Sequence, residues 1–212
     1  IMQGDIHGYY PNMSHERTER RFHRKVPKIA YNMATDVLRG QYEGDKGYNP
    51  GSQMVQIAGI SYLDPFDHFM KEQLHAKIYE RYMDDFIEAH EKREVLEEHL
   101  EKVTEYMKKE ECELHEKKTR IYHVTEGIPF LGFIHILTDT GKVIRLIDPD
   151  NVKHERLKLR REVALVAKGE MKKYKVKEGY KCWKAHVQRG NSTKVLMRMD
   201  AYLKSLWEEY NL

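Results

Sequence analysis

Arg81-Tyr82-Met83-Asp84-Asp85-Phe86 sets two adjacent carboxylates between aromatic and apolar side chains. Neighbouring aspartates repel each other and resist burial, so a pair embedded in an apolar stretch makes sense where a divalent cation neutralises it. Read alone, the same pair also fits a turn or a solvated surface. A further carboxylate stands upstream in Gly4-Asp5-Ile6-His7-Gly8-Tyr9-Tyr10-Pro11-Asn12-Met13. Between the two lies Gly47-Tyr48-Asn49-Pro50-Gly51-Ser52-Gln53-Met54-Val55-Gln56, where glycines and a proline form a rigid turn opening into a helix. That arrangement can present backbone N–H groups to a phosphate or a base, and plain helix initiation explains it equally.

Working outward, the pattern predicts a short strand around Gln3 to His7, then a helical stretch and a turn-rich run from Gly40 to Pro50. A helix-like block follows over Gln53 to Gln73, then a strand, turn or both over Ile78 to Met83. Beyond Glu88 the apolar residues Leu96, Leu100, Val103 and Met107 recur on one helix face. Thr119 to Val124 and Ile128 to Leu137 are rich in β-branched and aromatic residues, and Thr138-Asp139-Thr140-Gly141 makes a turn before Val143 to Leu146. From Asp148 the period is helical again, with Leu159, Val163 and Val166 on one face and Leu196, Met199, Leu203 and Leu206 on another. This order gives an α+β domain over residues 1–147 followed by a helical appendage over 148–212.

The 212 residues are 40% hydrophobic, which suits a folded globular chain rather than a disordered one. The longest nearly continuous apolar stretch, Ile128 to Leu137, is far shorter than the roughly 20 residues that span a bilayer, so no membrane segment is expected. Ile1-Met2-Gln3-Gly4-Asp5 has no basic leader or apolar core and reads as the middle of a protein. Two cysteines, Cys112 and Cys182, suggest neither a four-ligand zinc site nor a disulfide framework, so a cytoplasmic setting is the expectation. The net charge of +3 is uneven. Residues 148–212 hold 16 Lys+Arg against 9 Asp+Glu, while residues 1–147 hold 21 against 25. A basic segment joined to an acidic one suits an arm that tracks a phosphate backbone attached to a body that holds metal ions. A solvated basic face accounts for the same composition.

The three carboxylate-bearing and turn motifs, in this order, resemble motifs A, B and C of the reverse transcriptase palm. The resemblance continues through Glu113-Leu114-His115-Glu116-Lys117-Lys118-Thr119, similar to motif D, and Gly127-Ile128-Pro129-Phe130-Leu131-Gly132-Phe133, similar to the primer-grip motif E. Cys182-Trp183-Lys184-Ala185-His186, followed by Gly190-Asn191-Ser192, is similar to the thumb of bacterial reverse transcriptases. The fingers that the family places before motif A are absent from this chain. Within the family, Gln56 and the absence of glutamine before Gly51 resemble the reverse transcriptases of diversity-generating retroelements, whereas Pro50 and Val55 depart from them.

The resemblance implies a polymerase palm, an antiparallel sheet with packed helices, joined to a helical thumb. It implies RNA-templated DNA synthesis, with RNA template, DNA primer and deoxynucleoside triphosphates as partners and an accessory protein subunit as a further one. Asp5 and Asp84 would bridge two Mg²⁺ or Mn²⁺ ions, with Asp85 assisting and the Ile6 carbonyl completing one sphere. Tyr10 would lie beneath the incoming sugar and exclude a 2′-hydroxyl, and it suits a core aromatic as well. Pro50, Gly51 and Gln56 would face the nucleotide, and Lys118 would protonate the leaving pyrophosphate, although a Lys-Lys pair also fits a solvated surface. Phe130, Leu131 and Gly132 would seat the primer end, or simply form a packed hairpin. Lys153, Arg156, Arg160, Arg161 and Lys168 would contact duplex phosphates, while Trp183 and His186 pack helices. Competing expectations are a phage-defence or intron-type reverse transcriptase, a catalytically idle nucleic-acid-binding fragment, a nucleotide cyclase, and an RNA-templated RNA polymerase. The last usually carries Gly-Asp-Asp in motif C.

Overall fold

The computed structural model describes residues 1–40 and 44–212, with the side chain of Lys25 excepted; residues 41–43, inside the predicted turn-rich run Gly40–Pro50, lie outside the described residues. The chain is an α+β protein with antiparallel sheets, organised as two compact units, Ile1–Tyr122 and His123–Leu212. The sequence pattern divides at 147/148. The compact units instead meet at 122/123, so the second sheet belongs with the C-terminal helices.

In the first unit, β1 (Met2–Asp5) is followed by α1 (Tyr9–Asn12), α2 (His15–Lys25), α3 (Lys28–Arg39), α4 (Gln53–Tyr62) and α5 (Asp64–His68). Then come β2 (Ile78–Tyr82), β3 (Asp85–Ala89), α6 (Arg93–Lys109) and β4 (Arg120–Ile121). The sheet order is β2-β3-β1-β4, so β1 is central and all four of its residues are buried. Its register sets Gly4 opposite Phe86 and Asp5 opposite Asp85. Side chains alternate across a strand. Met2, Tyr79 and Phe86 accordingly enter the core, where the Phe86 ring meets Phe66 at 5.1 Å between centroids and Phe69 stacks on Tyr106 at 4.3 Å.

The helix-like block predicted over Gln53 to Gln73 is interrupted. Pro65 sits in the first turn of α5, where its missing N–H costs nothing, and Leu63 ends α4 while opening α5. A π-helical turn, Phe69–Gln73, then closes the block. The strand predicted over Thr119 to Val124 narrows to β4, where Arg120 and Ile121 pair with Gln3 and Met2, and Tyr122 extends the pairing by exchanging backbone hydrogen bonds with Ile1. The face predicted for α6 is buried at Leu96, Val103 and Met107.

The second unit contains β5 (Ile128–Phe130), β6 (Phe133–Leu137) and β7 (Val143–Ile147), an antiparallel meander, then α7 (Pro149–Ala167), α8 (Lys173–Val187) and α9 (Thr193–Glu209). Leu159, Val163, Val176, Tyr180, Met199, Leu203 and Leu206 form the helical core; the spacing predicts the members from α7 and α9, while Val176 and Tyr180 of α8 are added by the structure and Val166 is only partly buried. Phe133, Ile147 and Val187 join the meander to it. Both cysteines are free, Cys112 buried and Cys182 exposed. Among the described residues no helix is long and apolar enough to cross a membrane.

Gly4 has a packing reason to be glycine. A Cβ built there would stand 2.1 Å from the Phe86 ring, which crosses β1 at that point. Gly4→Ala is therefore expected to destabilise the protein by about 3 kcal/mol, the upper range for overpacking a core. Phe86→Leu in the same chain should recover part of the loss. Denaturant unfolding of the three variants measures this, and an unchanged midpoint for Gly4→Ala contradicts it.

Candidate active site

A two-residue turn, Met83-Asp84, joins β2 to β3 and follows directly from the pairing of Tyr82 with Asp85. Met83 takes a left-handed backbone, φ 56°, a conformation that a side chain makes costly by about 1–3 kcal/mol. Beyond β1, Ile6 bridges to Leu114 and donates its N–H to the Asp84 carbonyl at 3.2 Å. The segment after α6 is held there by two backbone bonds, His7 N–H to Glu113 and His115 N–H to Asp5, both 2.8 Å. The sheet thus gathers Asp5, Asp84, Asp85 and Lys118, drawn from three distant stretches of sequence.

The electrostatics reflect that crowding. Asp5 is buried, 5% exposed, and accepts a 2.8 Å ion pair from Lys118 Nζ. Burial, and then the charge of Asp5, raises the Asp84 carboxyl above the ordinary carboxylate range. Asp85 is pushed up to about 6 by burial, then by the charges of Asp5 and Asp84 and by a hydrogen bond to Asp5. The bond to Asp5, opposed by burial, raises the Lys118 ammonium. Lys118 therefore acts here as the counter-ion of Asp5, a contact that the motif alone does not reveal.

A cleft of about 460 Å³ opens over Asp5, Asp84 and Lys118 but is not lined by Asp85; Ile6, Tyr10 and Pro50 also wall it, with Tyr48, Asn49 and His115 among its other lining residues. Of the predicted nucleotide-facing residues, Ile6, Tyr10 and Pro50 line the cleft, while Gly51 and Gln56 are exposed and lie outside its wall. Ser52 caps α4 by accepting from the Val55 N–H at 3.2 Å, so helix initiation explains that serine fully. The Tyr10 ring lies against Gly59, where a Cβ would stand 2.9 Å from the hydroxyl oxygen, and its hydroxyl reaches Met83 Sδ at 3.6 Å. Gly59 escaped the sequence reading. It is one glycine in a helix, and only the approach of Tyr10 gives it meaning.

Among the described residues no three His, Cys, Asp or Glu side chains converge as a ready-made metal cage. The donor set nevertheless fits a hard divalent cation. Two facing carboxylates, one of them raised by its neighbours' charge and the other leaning on a lysine, are short of positive charge, and Mg²⁺ takes one or two carboxylates while keeping water or phosphate oxygens.

In the second unit, Leu131 and Gly132 form the β5–β6 turn with φ 50° and 79°, both left-handed, which is why the second position is glycine. The Asp148 N–H donates to the Gly132 carbonyl at 3.1 Å. Asn151 accepts from Trp183 Nε1 at 2.7 Å, and His186 packs on Phe133 at 4.9 Å, so Trp183 and His186 buttress this turn from below. A cleft of about 690 Å³ beside Gly132 is lined by His154, Lys158 and Arg161. Of the predicted phosphate contacts only Arg161 lines it. Arg156 lies over the Tyr202 ring at 4.2 Å, while Lys153, Arg160 and Lys168 are exposed elsewhere on α7 and its C-terminal cap. Lys158, one helical turn before Arg161 and Glu162, was missed because it alternates with Leu157 and Leu159 in an unremarkable helix.

A family model described as reverse transcriptase (RNA-dependent DNA polymerase) matches residues 1–135, which take in the whole first unit and β5. No curated protein matches the chain.

Asp85 titrates higher in the folded chain than its ordinary value near 3.8, so ionising it opposes folding. That cost is absent below about pH 4, grows as pH rises towards 6, and is complete above it. Its partial exposure limits the effect to about 1 kcal/mol. Asp85→Asn should therefore stabilise the metal-free protein by about that amount at pH 7.5 and not at pH 4, as read from melts in chelator. A variant less stable than the parent at pH 7.5 contradicts the repulsion.

Proposed function

The chain belongs to the reverse transcriptase family and is an RNA-directed DNA polymerase by that membership; from this premise we propose that the cleft over Asp5 and Asp84 is where nucleotides are joined. The observation that carries the reading is the facing register of Asp5 and Asp85 beside Asp84, under a cleft walled by Tyr10 and Pro50. Asp5 and Asp84 would hold two divalent ions, Mg²⁺ or Mn²⁺, with Asp85 and the Ile6 carbonyl assisting. Bound there, such ions stabilise the attacking and leaving oxygens of an in-line phosphoryl transfer. Template RNA, primer DNA and deoxynucleoside triphosphates are the corresponding partners.

Lys118 would then exchange Asp5 for the triphosphate. A lysine is charged near neutral pH without help from its surroundings, as a donor to the departing pyrophosphate requires. Tyr10, backed by Gly59, is too tightly seated to yield to a 2′-hydroxyl, which supports a preference for deoxynucleotides. In the second unit, the turn Phe130-Leu131-Gly132 would seat the primer end. Lys153, Arg156, Arg160, Arg161 and Lys168 would meet duplex phosphates, with Arg161 lining the cleft beside that turn together with Lys158, which is ion-paired to Glu155, and Arg156 partly committed to Tyr202.

The test is primer extension on RNA by the full-length protein. Asp84→Asn should lower the rate by about 10³-fold or more, the loss expected when a shared metal ligand disappears. Undiminished extension rejects the assignment.

Accuracy follows from Pro50. It lines the cleft but offers neither an amide side chain nor a backbone N–H to the incoming nucleotide. Discrimination rests on differential transition-state binding, and about 1.4 kcal/mol lost from it raises misincorporation tenfold. We therefore propose an error-prone enzyme of the diversity-generating kind, with errors concentrated at template adenines. Pro50→Gln should improve accuracy about tenfold when cDNA copied from a defined RNA is sequenced. Uniformly low error in the unmutated enzyme instead favours an intron-type or defence enzyme.

A further inference from the structure

Arg81 precedes the Tyr82-Met83-Asp84-Asp85 box, and its guanidinium is almost wholly buried, with 7% of the side chain exposed. Nε and Nη2 grip Asp67 on α5 as a fork, at 2.7 and 2.5 Å. Nη2 also reaches the Ile60 carbonyl at 3.2 Å, and Nη1 donates to the Met83 carbonyl at 2.8 Å. Ile60 belongs to the last turn of α4, whose carbonyls have no partner within the helix and favour a cation. One side chain thus ties the end of α4, α5 and the Met83-Asp84 turn together. The Tyr79 hydroxyl donates to the same Asp67 oxygen at 2.7 Å, so the carboxylate is itself held in place.

The acceptor in the turn is what makes this more than packing. Met83 holds a left-handed backbone that costs free energy, and it is the residue directly before Asp84. Released from Arg81, the turn is free to relax to a cheaper conformation, and Asp84 turns with it. Lysine cannot replace the planar fork, since a point charge cannot serve Asp67 and two carbonyls in fixed directions. We infer that Arg81, anchored by Asp67, is a positioning residue that holds the Met83-Asp84 turn in the conformation that binds divalent cation. The inference rests on Asp84 being a metal ligand.

Arg81 touches neither substrate nor ion in this role, so its loss should appear first in metal affinity. In the full-length protein without nucleic acid, Mn²⁺ binding followed by electron paramagnetic resonance should weaken about tenfold in Arg81→Lys and in Asp67→Asn. Tyr79→Phe, which leaves all four Arg81 contacts in place, should bind Mn²⁺ as the parent does. In extension assays at limiting Mg²⁺, kcat should fall while the KM for deoxynucleotide and the Kd for primer-template stay unchanged. Asp67→Asn preserves shape, so it carries the test if Arg81→Lys does not fold, with melting curves reporting the folded fraction. Folded variants that bind Mn²⁺ like the parent overturn the inference, even where Asp84→Asn has lost both binding and extension. If Asp84→Asn itself keeps parental Mn²⁺ binding and extension, the ligand assignment fails and the positioning role falls with it.

Discussion

Repulsion among Asp5, Asp84 and Asp85 sets terms that the surrounding first unit has to meet, because one buried carboxylate stands beside two half-buried ones. Each local feature either brings them together or tempers the cost. Antiparallel pairing of β1 with β3 fixes Asp5 opposite Asp85, and the tight β2–β3 turn leaves Asp84 no other place to go. Lys118 answers one charge, and the raised proton affinity of Asp85 shows that the others are left in excess. A pocket arranged in this way is poor at being a stable core and well suited to capturing a divalent cation with its substrate phosphates.

Close approach of backbone and ring is the second constraint. Phe86 crosses β1 over Gly4, one residue before Asp5, so a close approach of ring and backbone abuts that carboxylate. Gly59 does the same for Tyr10, letting the ring settle between α4 and Met83. In both cases the absence of a methyl group sets the position of a neighbour. The supports of the cleft wall are crowded, as interiors at crystal-like density are.

In the second unit another strained turn is supported in a similar manner. Leu131 and Gly132 both hold left-handed backbones, the Asp148 N–H meets the Gly132 carbonyl, and Trp183 fixes Asn151 close by. The turn is thereby tied to α7 and α8, and the meander and helices share one set of buried contacts at Phe133, Ile147 and Val187. The basic side chains of α7 divide by the same logic. Lys158 and Arg161 open to the cleft beside Gly132, while Arg156 spends its cationic face on Tyr202.

Much of this was legible in the residues themselves. Local spacing determined the apolar faces of α6, α7 and α9, since burial of one helix stripe leaves a 3.6-residue period. The order of Asp5, the Pro50 turn, the Asp84-Asp85 pair and the segment to Lys118 carried the family. Partners distant in sequence were not legible, because pairing leaves no local pattern. Nothing near Lys118 announces its bond to Asp5, nothing in Arg81 its fork on Asp67, and nothing in Gly59 the ring of Tyr10. The boundary between the units escaped for the same reason, since β-branched residues 128–137 look alike whether their sheet joins the strands before it or the helices after it. Sequence determines which groups are able to ionise, bond or turn; tertiary structure decides which of them meet, because only the folded chain sets distance, and distance sets the energy of every charge and contact.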